Sequence, residues 1–125
     1  MLAASLKGAS LDVERALDAT RAVENWHGRD GRNGELGPYG IRRATWKQHM
    51  GNQDFRLARQ ENHGRECAKK HILWLAQQLK ARGVAQDMMM IALAYNAGLY
   101  KMLSGRASDF SWNHAHRVNN LYLSR

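Results

Sequence analysis

Apolar and polar positions recur along this chain at helical rather than strand spacing. Val13, Leu17, Thr20 and Glu24 fall at i, i+4, i+7 and i+11, which predicts a first helix from an N-cap at Ser10 to about Trp26. Its apolar stripe ends in a carboxylate, and Gly28 stops it. Ile41 to Met50 reads as a short helix closed by Gly51, and Asn52 to His63 as another short helical piece. Ala68, Ile72, Leu75, Ala76 and Leu79 keep a core-facing spacing, with cations on the other side, so the longest helix ends at Gly83. Met88 to Ala97 is apolar nearly all round and predicts a buried central helix stopped by Gly98. A last helix from about Ser111 to Leu123 presents Ala115, Val118 and Tyr122 on one face. Asp30-Gly31 and Asn33-Gly34 are turn signals, so a small glycine-rich loop or β-hairpin is expected near residues 29–41. The class is mainly α.

Composition narrows this picture. With 44% hydrophobic residues, 125 residues build one compact domain over positions 1–125 and leave no room for a second. Met88 to Ala94, the longest apolar run, is far shorter than the roughly 20 residues of a membrane span, so it is core. The segment Met1 to Lys7 lacks the basic-then-apolar order of a secretory signal, which leaves export open. A single cysteine, Cys67, excludes an internal disulfide framework and reads as a small apolar residue.

The net charge of +8 favours a polyanionic partner, and nucleic acid, anionic lipid and bacterial cell-wall polymer all fit. A solvated basic face is the plainer alternative. No helix-turn-helix, RNA-binding or phosphate-loop motif accompanies the charge, so nucleic acid is not expected. His114-x-His116 and the distant pair His63 and His71 lack the carboxylate or cysteine company of a zinc site. Most of them read as surface histidines, and no metal or cofactor is expected.

Candidate chemistry gathers in two segments. In Glu24-Asn25-Trp26-His27-Gly28-Arg29-Asp30-Gly31, Glu24 sits at the edge of an apolar stripe, where desolvation raises its pKa and keeps it a proton donor near neutrality. Asp30 on the following turn is a second carboxylate, with Glu35 a wetter rival. In Ala92-Leu93-Ala94-Tyr95-Asn96-Ala97-Gly98, a polar pair closes the buried helix. Plainer roles stand beside these: a solvated helix-end Glu24, a turn-forming Asp30, an Asn96 that bonds to free helix carbonyls. Trp26, inside the first segment, and Trp46, after the glycine-rich turn, are the candidates for stacking on sugar.

The first segment and the Gly37-Pro38-Tyr39-Gly40-Ile41 that follows it resemble the catalytic stretch of lysozyme-like cell-wall hydrolases, including invertebrate-type lysozymes. Ala-Tyr-Asn-Ala-Gly is similar to the hallmark of soluble lytic transglycosylases and goose-type lysozymes, and His116 to Tyr122 resembles the family's final helix. The resemblance covers roughly residues 10 to 125. It implies a single-domain lysozyme-like fold that cleaves the MurNAc-GlcNAc β-1,4 bond of peptidoglycan. Glu24 would be the general acid/base and Asp30 the second carboxylate, with Tyr39, Tyr95 and Asn96 binding substrate. Asp30 is expected to face Glu24 across one cleft, at the separation of about 6.5–9.5 Å that admits a water. It further implies a monomer that is periplasmic, secreted or phage-associated. Two positions depart from the family pattern: Asn25 replaces the usual Ser and Gly40 the usual Gln. Both bear on substrate binding, and they keep open the alternative of a catalytically inactive cell-wall-binding or structural module.

Overall fold

The computed structural model describes residues 10–24, 28 and 30–124; Asn25 and Trp26 lie outside the described residues. Six helices follow one another there: α1 Val13–Glu24, α2 Arg43–Met50, α3 Glu61–Ala81, α4 Met88–Ala97, α5 Leu99–Leu103 and α6 Asp109–Leu123. A 3₁₀ turn, Phe55–Arg59, precedes α3. The protein is mainly helical, and no described residue belongs to a strand.

Local chemistry explains where these elements differ from the periodic expectation. Asp12, not Ser10, caps α1, its Oδ1 accepting from the Arg15 N–H at 3.2 Å. The piece from Asn52 to His63 divides in two because Asp54 caps the 3₁₀ turn, while Gln60 has the extended backbone that ends it and opens α3. α6 starts at Asp109, ahead of Ser111, because Ser108 caps it by accepting from the Ser111 N–H at 3.1 Å. Between residues 36 and 41, Leu36 and Ile41 exchange two backbone bonds of 2.8 and 3.0 Å as one isolated antiparallel bridge.

A single core holds the helices together. Asp87 caps α4, which packs against α3 and α6, while α1 lies on α3 and α6. Leu17, Ile72, Leu75, Leu79, Ile91, Leu93 and Val118 are fully buried where these faces meet. Cys67 joins them, and burial pushes its thiol up to about 12, which keeps it a protonated, apolar filler. No described helix is long and apolar enough to cross a membrane.

Two residues expected to touch substrate belong to this core instead. Trp46 is 2% exposed, its indole N–H donates to the Gln53 carbonyl at 2.7 Å, and its ring leans on Phe55. The reason is helical register, since Trp46 shares the inner face of α2 with buried Met50. Tyr39 is fully buried, and its hydroxyl donates to Glu61 Oε2 at 2.5 Å and accepts from Arg65 Nη1 at 2.9 Å, both on α3. Neither side chain reaches a cleft. Trp46→Ala is expected to lower stability by about 3–5 kcal/mol, the scale for deleting a buried aromatic. Urea denaturation checks it; a loss under 1 kcal/mol would show that Trp46 is not a core anchor.

Candidate active site

Glu24 closes α1 on the same face as buried Leu17 and Thr20, so the apolar stripe carries its carboxyl to the edge of the core. There it opens into a cleft of about 180 Å³, lined also by Glu35, Gly40, Arg42, His71, Tyr95, Asn96, His114 and Arg117. The Glu24 side chain is 24% exposed. Desolvation raises its pKa to about 7, the charge of Glu35 adds to the rise, and the cations of Arg42 and Arg117 oppose it. Its place at a helix C-terminus works in the same direction as burial, because the dipole disfavours negative charge there. His114 Nε2 lies 3.6 Å from Glu24 Oε2, yet it forms no charged pair: burial holds the His114 pKa down at about 4.

Gly40 sets how closely the backbone meets this carboxyl. Its φ is +59°, and a Cβ there would stand 2.6 Å from Glu24 Oε1. A side chain at position 40 therefore has no room while Glu24 keeps this position. The site's opposite side comes from the end of α4. The Tyr95 hydroxyl donates to the Tyr39 carbonyl at 2.6 Å, and burial pushes its own pKa well above the phenol range. Asn96 is tied twice, its carbonyl accepting from Arg42 Nη2 at 2.5 Å and its Oδ1 from the Ser111 hydroxyl at 2.7 Å. Its Nδ2 donors have no partner among the described residues and remain for a ligand.

Glu24, Tyr95 and Asn96 thus share one cleft; Asp30 does not. Its carboxylate is gripped by Arg59, with Oδ2 at 3.0 Å from Nε and 2.8 Å from Nη2. These bonds hold its pKa below the usual carboxylate range. The expected pairing of Asp30 with Glu24 across the cleft is therefore incorrect, because an arginine 29 positions away takes the aspartate for bracing the turn. Glu35 stands in the cleft in its place, with Oε1 accepting from the Asn33 N–H at 2.9 Å.

The histidines also depart from expectation. His71 and His114 line the cleft rather than the outer surface, and His71 Nδ1 meets His49 Nε2 at 2.9 Å while stacking on Trp74. Burial, then His49 and Arg42, hold the His71 pKa at about 4, so this floor is neutral. Among the described residues, no group of three or more His, Cys, Asp or Glu is placed to hold a metal. Phe110, 70% exposed, stands at the rim, beyond which a second hollow of about 420 Å³ shares Glu35, Arg42, Asn96 and Phe110 with the cleft. No protein-family model, curated protein or solved structure matches this chain.

Two outcomes follow from the Glu24 environment. Its pKa is higher folded, about 7, than the ordinary 4.5, so the fold binds the proton more tightly than the unfolded chain does. The stability this contributes is complete below about pH 4.5 and is lost as pH rises through 7. Glu24→Gln removes the loss, so its stability relative to the parent should rise between pH 5 and 8, by about 3 kcal/mol at most. Urea melts across that range check it, and a constant difference would contradict the buried carboxyl. In Gly40→Ala, the flexible carboxyl is what yields to the new Cβ. Glu24 should move toward water and its pKa should fall, with about 1 kcal/mol lost to left-handed backbone strain. Carboxyl NMR titration reads the shift, and an unmoved pKa would show that Gly40 does not set the approach.

Proposed function

We propose that this protein is a lysozyme-like enzyme that cleaves the β-1,4 bond between N-acetylmuramic acid and N-acetylglucosamine in peptidoglycan, with Glu24 as general acid and then base. One observation carries the reading: a carboxyl with pKa raised to about 7 inside a polar cleft beside a Tyr-Asn pair. Such a group is still partly protonated at neutral pH and has a proton to give. Glu24 donates it to the bridging oxygen as the C1–O4 bond breaks, and the sugar left behind takes on oxocarbenium character. The carboxylate of Glu35 supplies compensating negative charge in the cleft, and Asn96 Nδ2 offers donors to an acetamido or hydroxyl oxygen.

The withdrawal of Asp30 favours the lytic transglycosylase form of the reaction. With one group serving as acid and base, the 6-hydroxyl of the same muramic sugar attacks C1 and returns its proton to Glu24. A 1,6-anhydro end forms, Glu24 is reset, and no water is consumed.

The test is mass analysis of products from purified peptidoglycan. Anhydro ends are expected; reducing ends would mean hydrolysis, and tight binding without products would mean an inactive wall-binding module. Glu24→Gln should lose cleavage by about 10²–10⁴-fold, and near-normal turnover by that variant would sink the assignment. In the parent, kcat/KM should fall about tenfold per pH unit above about 7, as the acid loses its proton. A rate still rising at pH 9 would point to a different acid.

A further inference from the structure

Beside the cleft, the 420 Å³ hollow is built from a different kind of residue. Lys101 comes from α5, and Arg106 follows on the turn after it, where its backbone N–H bonds to the Lys101 carbonyl at 2.9 Å and its Nε to the Ser104 hydroxyl at 2.8 Å. These bonds fix the backbone and Nε of Arg106 and leave its terminal nitrogens for another partner. Arg42 adds a third cation from the cleft side. None of the three is ion-paired among the described residues, whereas Arg21, Arg59, Arg65 and Lys69 elsewhere each hold a carboxylate. Glu35 is the one acidic residue among the described residues that line the hollow. Ser108 and Ser111, at the N-terminus of the 15-residue α6, face it too and add the positive end of that helix.

We propose that this hollow is a carboxylate-binding subsite, in which Lys101 and Arg106 hold an acidic substituent of the glycan whose sugar ring lies in the cleft. The identity of that glycan rests on the reading above. Three unpaired cations against one carboxylate attract an anion, and the shared border at Arg42, Asn96 and Phe110 places that anion within reach of a ring in the cleft. Exposed Phe110 offers the apolar face on which the intervening ring can rest. The volume exceeds that of a lactyl group and admits the first residues of a peptide. The site therefore discriminates acidic amino-sugar chains from neutral, chitin-like ones.

The test uses the full chain carrying Glu24→Gln, so that probes are not consumed, and calorimetric titration at low salt. The probes are a neutral chitin disaccharide, the GlcNAc-MurNAc disaccharide, and the same disaccharide with a dipeptide stem. Acidic probes should bind about tenfold tighter than the neutral one, the scale of two charge-assisted but partly exposed contacts. A gain already present without the peptide assigns the lactyl carboxylate; a gain only with it assigns the stem. Adding Lys101→Gln and Arg106→Gln should bring acidic and neutral probes to near parity, whereas Lys47→Gln with Lys80→Gln, an equal loss of exposed charge elsewhere, should not. Equal affinities of acidic and neutral probes for the Glu24→Gln protein, or equal losses on adding either pair of substitutions, would overturn the subsite. If the protein with native Glu24 shows no turnover on peptidoglycan while the Glu24→Gln protein still prefers the acidic probes, the subsite is supported and only the catalytic reading is overturned.

Discussion

The turn from Leu36 to Ile41 is the constraint on which the rest of the site depends. It is wedged rather than laid on the surface: Gly37 presses on the Ala58 carbonyl so closely that no Cβ fits, and Tyr39 is sealed beneath it. The Tyr39 hydroxyl is held by Glu61 and Arg65 of α3, and its carbonyl receives the Tyr95 hydroxyl of α4. The next residue, Gly40, meets the Glu24 carboxyl of α1. Three helices are thus referred to one short segment. A buried phenol that both donates and accepts resists displacement, because breaking either bond leaves its own buried hydroxyl short of a partner at about 1–3 kcal/mol. The acid is positioned by this wedge.

Two carboxylates six residues apart show how environment assigns roles. Asp30 lies at the surface, where a two-nitrogen grip from Arg59 stabilises its charged form. Glu24 faces two cations as well, and they lose. Arg42 and Arg117 are exposed, so water screens their attraction, whereas the loss of water around the Glu24 carboxyl is not screened. Glu35 adds repulsion from inside the cleft. Desolvation and a like charge outweigh two wet cations, and the two pKa values move apart. Such divergence singles out Glu24 as the carboxyl that holds a proton near neutrality more firmly than position in the chain does.

Much of the helical framework was legible from spacing alone, because α1, α3, α4 and α6 each run long enough to repeat an apolar face. The stripe through Leu17, Thr20 and Glu24 was readable for the same reason. Helix α5, at five residues, is too short to show a period. Trp46 was misplaced because α2 is short and its inner face is set by Phe55 and Gln53, beyond its own sequence. Asp30 was misplaced because its partner, Arg59, is distant in the chain, and nothing local distinguishes a braced aspartate from a free one. The histidines did carry a signal. His71 stands four residues before Leu75, and His114 four before Val118, so both share stripes with buried residues. Helical register places them inside; reading them by residue type placed them outside.

Gly40 gathers these threads. Against the lysozyme-like pattern its missing side chain reads as a lost contact with substrate. Beside Glu24 it reads differently, because the space of a Cβ is the space in which the carboxyl sits. A larger residue would push that carboxyl outward into water, where its pKa would relax and its proton would be gone at neutral pH. The neutral histidines of the floor neither supply charge to pair with Glu24 nor hold a proton near pH 7, since burial keeps both near 4. Proton affinity near neutrality is thereby concentrated on one group. A glycine at this position exchanges one side-chain contact for the close approach of backbone to acid, and that approach is what maintains the acid in its protonated form.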